Sequence, residues 1–305
     1  MPIPTTRAKN AAEIRINQTL CTGCGLCISV CKDNSIEIKE GKATTTGKSF
    51  FGCIACGHCM AICPTGAIEI YGRELSPNDV FELKGKVSPD IYDDLLRLLQ
   101  GRRSVRELKP QPVGSEITAK ILEMASTAPM GLPPSDVHVV VFDSADKVTA
   151  FTRDFCTVLE GMKWFVSNWF LTLMRPFWGK QNDEMFRQFI KPVFHLYTGG
   201  MKEGKNWVTY DAPLMFYFYG SPYTDPADPI VAATYAMHAA EALGLGTCML
   251  GAIHPLIQYG KASRKLREKY GIRYKSREGL FLIVGHPAVK YHKGLRRTFA
   301  EVHMV

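Results

Sequence analysis

No stretch of the chain is both apolar and long enough to cross a membrane. The most apolar one, WFVSNWFLTLMRPFW at Trp164–Trp178, falls short of the roughly 20 residues a span needs and carries Asn168 and Arg175. No membrane span is expected. The opening MPIPTTRAKNAAEIRIN holds no apolar export segment, so a cytoplasmic, reducing location is expected. The sequence also has no GxGxxG fingerprint, no Walker A loop, no HExxH and no GxSxG. That leaves dinucleotide-fold dehydrogenases, P-loop enzymes, zinc proteases and nucleophile-elbow hydrolases without their starting point. Net charge is +8, with modest basic clusters at Arg102–Arg106 and Lys290–Arg297, each sized for one phosphate group. Without a concentrated basic stripe, no nucleic-acid partner is expected.

Cysteine is scarce after residue 63, where only Cys156 and Cys248 occur. The other eight form CTGCGLCISVC, Cys21–Cys31, and CIACGHCMAIC, Cys53–Cys63. Each reads C-x2-C-x2-C-x3-C, the two are offset by 32 residues, and each is followed by a short alternating strand signal, SIEI or AIEI. The whole unit is duplicated. A secreted disulfide scaffold would spread its cysteines differently, and four-cysteine zinc sites use longer gaps between pairs. Three cysteines spaced by two wrap one face of a cubane cluster; the fourth lies too far along the chain and ligates the other cluster. Cys21, Cys24, Cys27 and Cys63 are therefore assigned to one [4Fe-4S] cluster, and Cys53, Cys56, Cys59 and Cys31 to a second. Gly23, Gly25, Gly52 and Gly57 suit tight turns that aim N–H groups at sulfur. The segment resembles the bacterial two-cluster ferredoxin domain over about residues 12–71. It departs at Lys32, where the family has proline after the fourth cysteine; Pro64 keeps the pattern. Proline is not a ligand, so ligation is expected to survive.

A linker over 72–89, with Gly, Pro, Ser and Asn, separates this unit from the rest. Ile91, Leu95, Leu98 and Leu99 fall at helical spacing, ended by Gly101. RRSVR follows, placing Arg102, Arg103, Arg106 and the Ser104 hydroxyl within five residues. Guanidinium forks match phosphate oxygens, although a solvated basic turn has the same composition. Glu116–Ala128 predicts a helix stopped by Pro129, Val137–Phe142 a strand, and Asp211–Gly220 a buried strand. Pro229–Leu243 predicts an alanine-rich helix, and Gly279–Pro287 a strand ending in a turn.

From about Asp90 onward the chain resembles the FMN-dependent nitroreductase family. RRSVR, the turn at Ala128 and Pro129, AAEALGLGTCMLG and GHPAVKYHKGLRR carry the resemblance in that order. It implies an α+β fold, a mixed or antiparallel sheet wrapped by helices, preceded here by the small two-cluster ferredoxin-like domain. The domains expected are 12–71, the linker 72–89, and 90–305, with 160–200 as a lid or dimer-contact insertion. The resemblance further implies a homodimer with FMN at the subunit interface. Arg102, Arg103, Ser104 and Arg106 would hold the FMN phosphate and ribityl region, with Arg296 and Arg297 completing the clamp. Met249, Leu250 and Gly251 would pass the flavin ring near N5. Pro129, Met130, Gly131 and Pro133 match the loop that reaches flavin from the partner side. That loop departs from the family: serine or threonine, asparagine and Gln-Pro-Trp are replaced by Met130, Pro133 and the run Ser135–Val137. Pro133 has no N–H to donate, so altered substrate contacts are expected.

The expected function is an iron–sulfur flavoprotein oxidoreductase. It would pass electrons between two [4Fe-4S] clusters and FMN and reduce a small aromatic or conjugated acceptor: a nitro compound, a quinone or an activated alkene. The chemistry sits at flavin N5, and no side chain is assigned as catalytic. An external ferredoxin or NAD(P)H is the expected donor. A non-enzymatic electron-transfer or redox-sensing protein is the alternative. The aromatic run Trp164–Trp178, with Phe186, Phe189, Phe194 and Tyr197, reads either as a substrate cover or as dimer core. The scattered histidines, with Cys156 and Cys248, are expected to be structural.

Overall fold

The computed structural model describes residues 3–83 and 85–305; Met1, Pro2 and, within the 72–89 linker, Lys84 lie outside the described residues. The chain forms two compact units. One takes the chain up to Val87 together with Pro129–Val137 and Gly220–Asp228; the other takes the remainder.

The first unit is built on the duplication. Strand β1 (Glu13–Ile16) pairs antiparallel with β4 (Ile68–Tyr71), Glu13 opposite Tyr71. Strands β2 (Ile36–Lys39) and β3 (Lys42–Thr45) form a second antiparallel pair. SIEI and AIEI thus become β2 and β4. Helices α1 (Leu26–Val30) and α2 (His58–Ile62) are five residues each and start at matching left-handed glycines, Gly25 and Gly57. Ile36, Ala43, Met60, Ile68 and Ile70 pack with Cys21, Cys27 and Cys59 as the core.

A unit this small buries little apolar surface, and polar staples supplement it. Arg73, 6% exposed, donates to the carbonyls of Ile3 (2.9 Å), Asn10 (3.3 Å), Ile54 (3.2 Å) and Pro133 (2.7 Å). Asp136, also buried, accepts from the Thr6 N–H (2.8 Å), the Thr6 hydroxyl (2.7 Å) and the Ser221 hydroxyl (3.0 Å). The N-terminal segment, the second cysteine loop and the two excursions at 129–137 and 220–228 are thereby tied into one body.

The second unit is a layered α+β structure. Its elements are α3 (Ile91–Gly101), α4 (Ser115–Ser126), β5 (Val137–Phe142), α5 (Ala145–Gly161), α6 (Asn168–Met185), α7 (Lys191–Lys202), β6 (Leu214–Gly220), α8 (Asp228–Ala242), β7 (Gly246–Leu250), α9 (Ile253–Leu256), α10 (Lys261–Lys269) and β8 (Gly279–Gly285). The sheet order is β5-β6-β8-β7, with β8 antiparallel to both β6 and β7. Every residue of β6 and β8 is buried, which is why both read as continuous apolar runs and not as alternations. Phe281 stacks on Tyr217 at 4.0 Å and meets Phe151 at 5.2 Å in the core.

Strand β7 is the sheet edge, and RRSVR lies along it. Ser104 bridges Thr247 in parallel register, and the Val105 N–H donates to the Thr247 carbonyl at 2.8 Å. The next residues pair with the chain's end: Lys109 N–H to the His286 carbonyl and Ala288 N–H to the Glu107 carbonyl, both 2.8 Å. A Cβ at Gly246 would come within 2.9 Å of the Val105 Cβ, so glycine is what lets RRSVR close on the strand. Among the described residues no helix is long and apolar enough to cross a membrane.

Two substitutions test this packing. Phe281→Ala is expected to cost about 3–5 kcal/mol, read as a lowered denaturation midpoint. Gly246→Ala overpacks the Val105 contact and is expected to cost about 1–3 kcal/mol. An unchanged denaturation midpoint in Gly246→Ala would show that RRSVR does not depend on this approach.

Candidate functional site

Each short helix of the first unit serves two pockets. The third cysteine of a motif, Cys27 or Cys59, lies within the helix, and the fourth, Cys31 or Cys63, is its C-cap, four residues or about 6 Å of rise later. One pocket is lined by Cys21, Cys24, Cys27 and Cys63, and encloses about 330 Å³ of space open to solvent. Another is lined by Cys31, Cys53, Cys56 and Cys59, with about 690 Å³. The eight cysteines divide four and four, each set mixing both motifs. Among the described residues no group of His, Cys, Asp or Glu closes around a single metal ion.

In the first pocket burial raises the Cys27 thiol while two others are held down; in the second, the shifted thiols are both raised. In the first, the Ala43 N–H donates to Cys21 Sγ at 3.4 Å and the Ala67 N–H to Cys63 Sγ at 3.2 Å. Backbone N–H groups of Ala43 and Gly23 hold the Cys21 thiol below its ordinary pKa. At Cys63, burial acts upward, but Thr65, Ala67 and Ile68 outweigh it and lower the thiol. In the second, burial and then the thiols of Cys53, Cys56 and Cys31 push Cys59 up to about 12. Cys53 is raised mainly by burial, with Cys56, Cys31 and Asp33 adding to it. Four thiolates so placed need a cationic core between them, which iron in a cluster supplies. The donor sets fit two such groups.

In the second unit Arg102, Arg103, Arg296 and Arg297 line one pocket of about 1450 Å³, together with Leu96, Leu99 and Gln100 of α3. Nearly two hundred residues of chain separate the two arginine pairs. The bonds of residues 107–109 to 286–288 bring them together, and Arg103 Nη2 adds a 3.3 Å bond to the Lys293 carbonyl. Half-buried His238 and Glu241 of α8 feel Arg102: burial first and then Arg102 lower the histidine, while burial raises Glu241 against the Thr247 hydrogen bond and the Arg102 charge. Four guanidinium groups in one pocket fit a phosphate-bearing ligand.

Other expected residues fall elsewhere. Ser104 is fixed by its bridge to Thr247. Arg106 does not line the arginine pocket; its guanidinium lies 5.7 Å from the Tyr210 ring centroid, with Cys248 raising its pKa. Met249 and Leu250 end β7, half-buried, with Gly251 exposed beyond them. Pro129, Met130, Gly131 and Pro133 belong to the first unit. There the Gly131 N–H donates to the Asp228 carboxylate at 3.1 Å, and Pro133 offers its carbonyl to Arg73. The missing N–H of Pro133 is thus matched by a role as acceptor.

The aromatic run is not one helix. It covers a 3-10 turn at Lys163–Val166 and part of α6, which holds Pro176 and breaks at Gly179 (φ 79°); a π turn at Phe186–Ile190 leads into α7. Trp178 stacks on Phe186 at 4.7 Å and Trp164 meets Phe170 edge-on at 5.0 Å, whereas Trp169, Phe177 and Phe189 are exposed. His254 is buried, with Nδ1 2.9 Å from the Tyr217 hydroxyl, and burial lowers its pKa. Burial pushes the Cys156 thiol up to about 11. The basic helix α10 is charge-paired: Lys269 with Asp154 and Arg264 with Glu268. Sequence reasoning also missed Asp33, Arg73 and Asp136, single residues that no spacing pattern marks.

The family model for nitroreductases matches residues 99–286, and that for the 4Fe-4S dicluster domain matches 20–67. No curated protein matches the chain. Two solved structures share its fold. A nitroreductase with bound FMN from Bacteroides fragilis NCTC 9343 is 16% identical, with a TM-score of 0.51, covering 70% of this chain and 98% of that one. A nitroreductase with bound FMN from Desulfitobacterium hafniense DCB-2 is 18% identical, with a TM-score of 0.50 and the same coverage. The first family match spans more than half of the sequence, so this chain belongs to the nitroreductase family and carries a 4Fe-4S dicluster domain ahead of the family domain.

Proposed function

We propose that the chain is an FMN-dependent iron–sulfur oxidoreductase, with two [4Fe-4S] clusters in the first unit and FMN in the second, that reduces a small conjugated acceptor such as a nitro compound, a quinone or an activated alkene. The observation that carries the reading is the four-and-four partition of the cysteines ahead of a nitroreductase domain. Bound FMN would supply the redox chemistry at its N5 edge, exchanging single electrons with the clusters and paired electrons with an organic acceptor.

The chain's own residues bind, orient and exclude water. Arg102, Arg103, Arg296 and Arg297 are the proposed phosphate clamp, supported by their shared pocket. Ser104, Met249, Leu250 and Gly251 are proposed to follow the ribityl chain and ring, supported by the register of RRSVR on β7. Arg106 is proposed to hold that edge through Tyr210 without touching the phosphate. The loop Pro129, Met130, Gly131 and Pro133 remains a proposed flavin or acceptor contact, braced by Asp228 and Arg73. The exposed rings Trp169, Phe177 and Phe189 are proposed to cover a flat acceptor. A homodimer is proposed on the face of α3, which buries none of its residues and exposes Ile91, Tyr92 and Leu95. An external ferredoxin or NAD(P)H is the proposed donor, in a reducing cytoplasm.

Two experiments test the reading. Arg102→Ala combined with Arg296→Ala should leave the fold intact and lower FMN retention. Loss of charge-assisted bonds at about 1.5–3 kcal/mol each implies at least tenfold weaker binding, measured by flavin fluorescence on titration; undiminished affinity would place the phosphate elsewhere. Cys63→Ala and Cys31→Ala should each remove the cluster signal of the opposite motif's trio, read by EPR of the reduced protein. Loss at the variant's own motif would show that ligation does not cross.

A further inference from the structure

We propose that Asp33 is a fixed negative charge in the wall of the Cys31, Cys53, Cys56 and Cys59 site, making the cluster there harder to reduce than its counterpart at Cys21, Cys24, Cys27 and Cys63. The inference rests on the two-cluster reading above.

Asp33 lines that pocket and is only 6% exposed, whereas the other pocket has no charged side chain in its lining. Its Oδ1 accepts from the N–H groups of Phe51 (2.8 Å) and Gly52 (3.2 Å). Its Oδ2 accepts from the Ser49 hydroxyl (2.6 Å) and the Ser35 hydroxyl. Four donors point at one side chain, and the two backbone N–H groups cannot reverse. That is the surrounding of a carboxylate, an acceptor only. The bonds also have a structural result. Asp33 follows Cys31 by two residues, and Phe51 and Gly52 lead directly into Cys53. The carboxylate therefore clasps together the two segments that bring cysteines of different motifs to one pocket.

Reduction adds one electron to a cluster, and a nearby buried anion opposes it. The other charged side chain of this wall, Lys32, is exposed and donates to the Ser29 carbonyl at 2.9 Å. Arg73 is a buried cation near Cys53 and acts in the opposite sense, but it lies outside the pocket lining, whereas Asp33 is part of that lining. At the first pocket the bias is reversed. Lys42 Nζ donates to the Cys21 carbonyl, and two N–H groups donate to cysteine sulfurs. Donors and cations at sulfur favour the reduced cluster. Backbone N–H groups of Ala55 and Met60 reach Cys53 and Cys59 as well, so the contrast lies in the charges, Asp33 at one site and Lys42 at the other.

Asp33→Asn is the test variant, because Asn keeps the shape. Its Oδ1 accepts both backbone N–H groups and its amide N–H groups donate to the two hydroxyls. Wild type and variant are prepared anaerobically as holoprotein, assayed for iron, and titrated potentiometrically with EPR detection. The wild type should show two midpoints. In the variant the lower midpoint should rise, with reduction about tenfold more favourable, about 59 mV for one electron, and the upper should stay. Lys42→Gln provides an independent reading if Asp33→Asn loses iron: it should lower the upper midpoint alone. Equal midpoints in the wild type overturn the inference. So does an iron-replete Asp33→Asn whose lower midpoint is unmoved, or a Lys42→Gln whose upper midpoint does not fall. About four irons per wild-type chain would overturn the two-cluster reading itself, and this inference with it; about eight irons with unmoved midpoints would overturn this inference alone.

Discussion

Neither cysteine pocket can be completed by one motif. A five-residue helix carries the third cysteine of its motif in one direction and presents the fourth at its C-cap to the other site. The rest of the first unit follows from that crossing. The two halves of the duplication must sit face to face, so β1 pairs with β4 across the whole unit, and β2 pairs locally with β3. The loops entering the motifs must be held in register, and the buried groups Asp33 and Arg73 do so by hydrogen bonding to backbone on either side of Cys53. Thiols this crowded and this buried resist ionisation, as Cys59 shows. The arrangement makes physical sense around a group that supplies positive charge.

The second unit solves a different problem with the same economy of contacts. The residues proposed to hold its ligand come from three remote segments, and an edge strand collects them. RRSVR lies beside β7, and the stretch after RRSVR bonds to residues 286–288, just past β8. Arginines 102 and 103 thereby meet 296 and 297 in one pocket. The fully buried strands β6 and β8 supply the rigid floor, and Gly246 removes the side chain that would hold RRSVR away. The positions of the basic residues are therefore a consequence of sheet packing.

What could be read from the sequence was what short-range geometry controls. The cysteine spacing gave the four-and-four grouping, because ligand bite along a few residues leaves few alternatives. Strands β2, β4, β5, β6 and β8 and helices α3, α4 and α8 carried their own periodicity or apolar runs. Residues set by tertiary contact were less legible. Arg106 shares its sequence motif with Arg102 and Arg103, but only the fold shows that its guanidinium lies 5.7 Å from the Tyr210 ring centroid while the other two line the arginine pocket. The aromatic run read as one apolar block, whereas Pro176 and Gly179 divide it. Nothing in the sequence marks Asp33 or Arg73, and only the fold buries them. That Pro129–Val137 joins the first unit is equally a long-range result, fixed by Arg73 and Asp136 across more than fifty residues of chain.

The central claim is that one chain holds two cubane clusters and one flavin. Iron, acid-labile sulfide and flavin analysis of anaerobically purified protein, combined with Mössbauer spectroscopy, tests it most directly. About eight irons, eight sulfides and one FMN per chain, all iron in [4Fe-4S] form, is the result the account predicts. Iron and sulfide without flavin, even after FMN is supplied, would contradict it and leave an electron-transfer protein. Zinc in place of iron would remove its foundation.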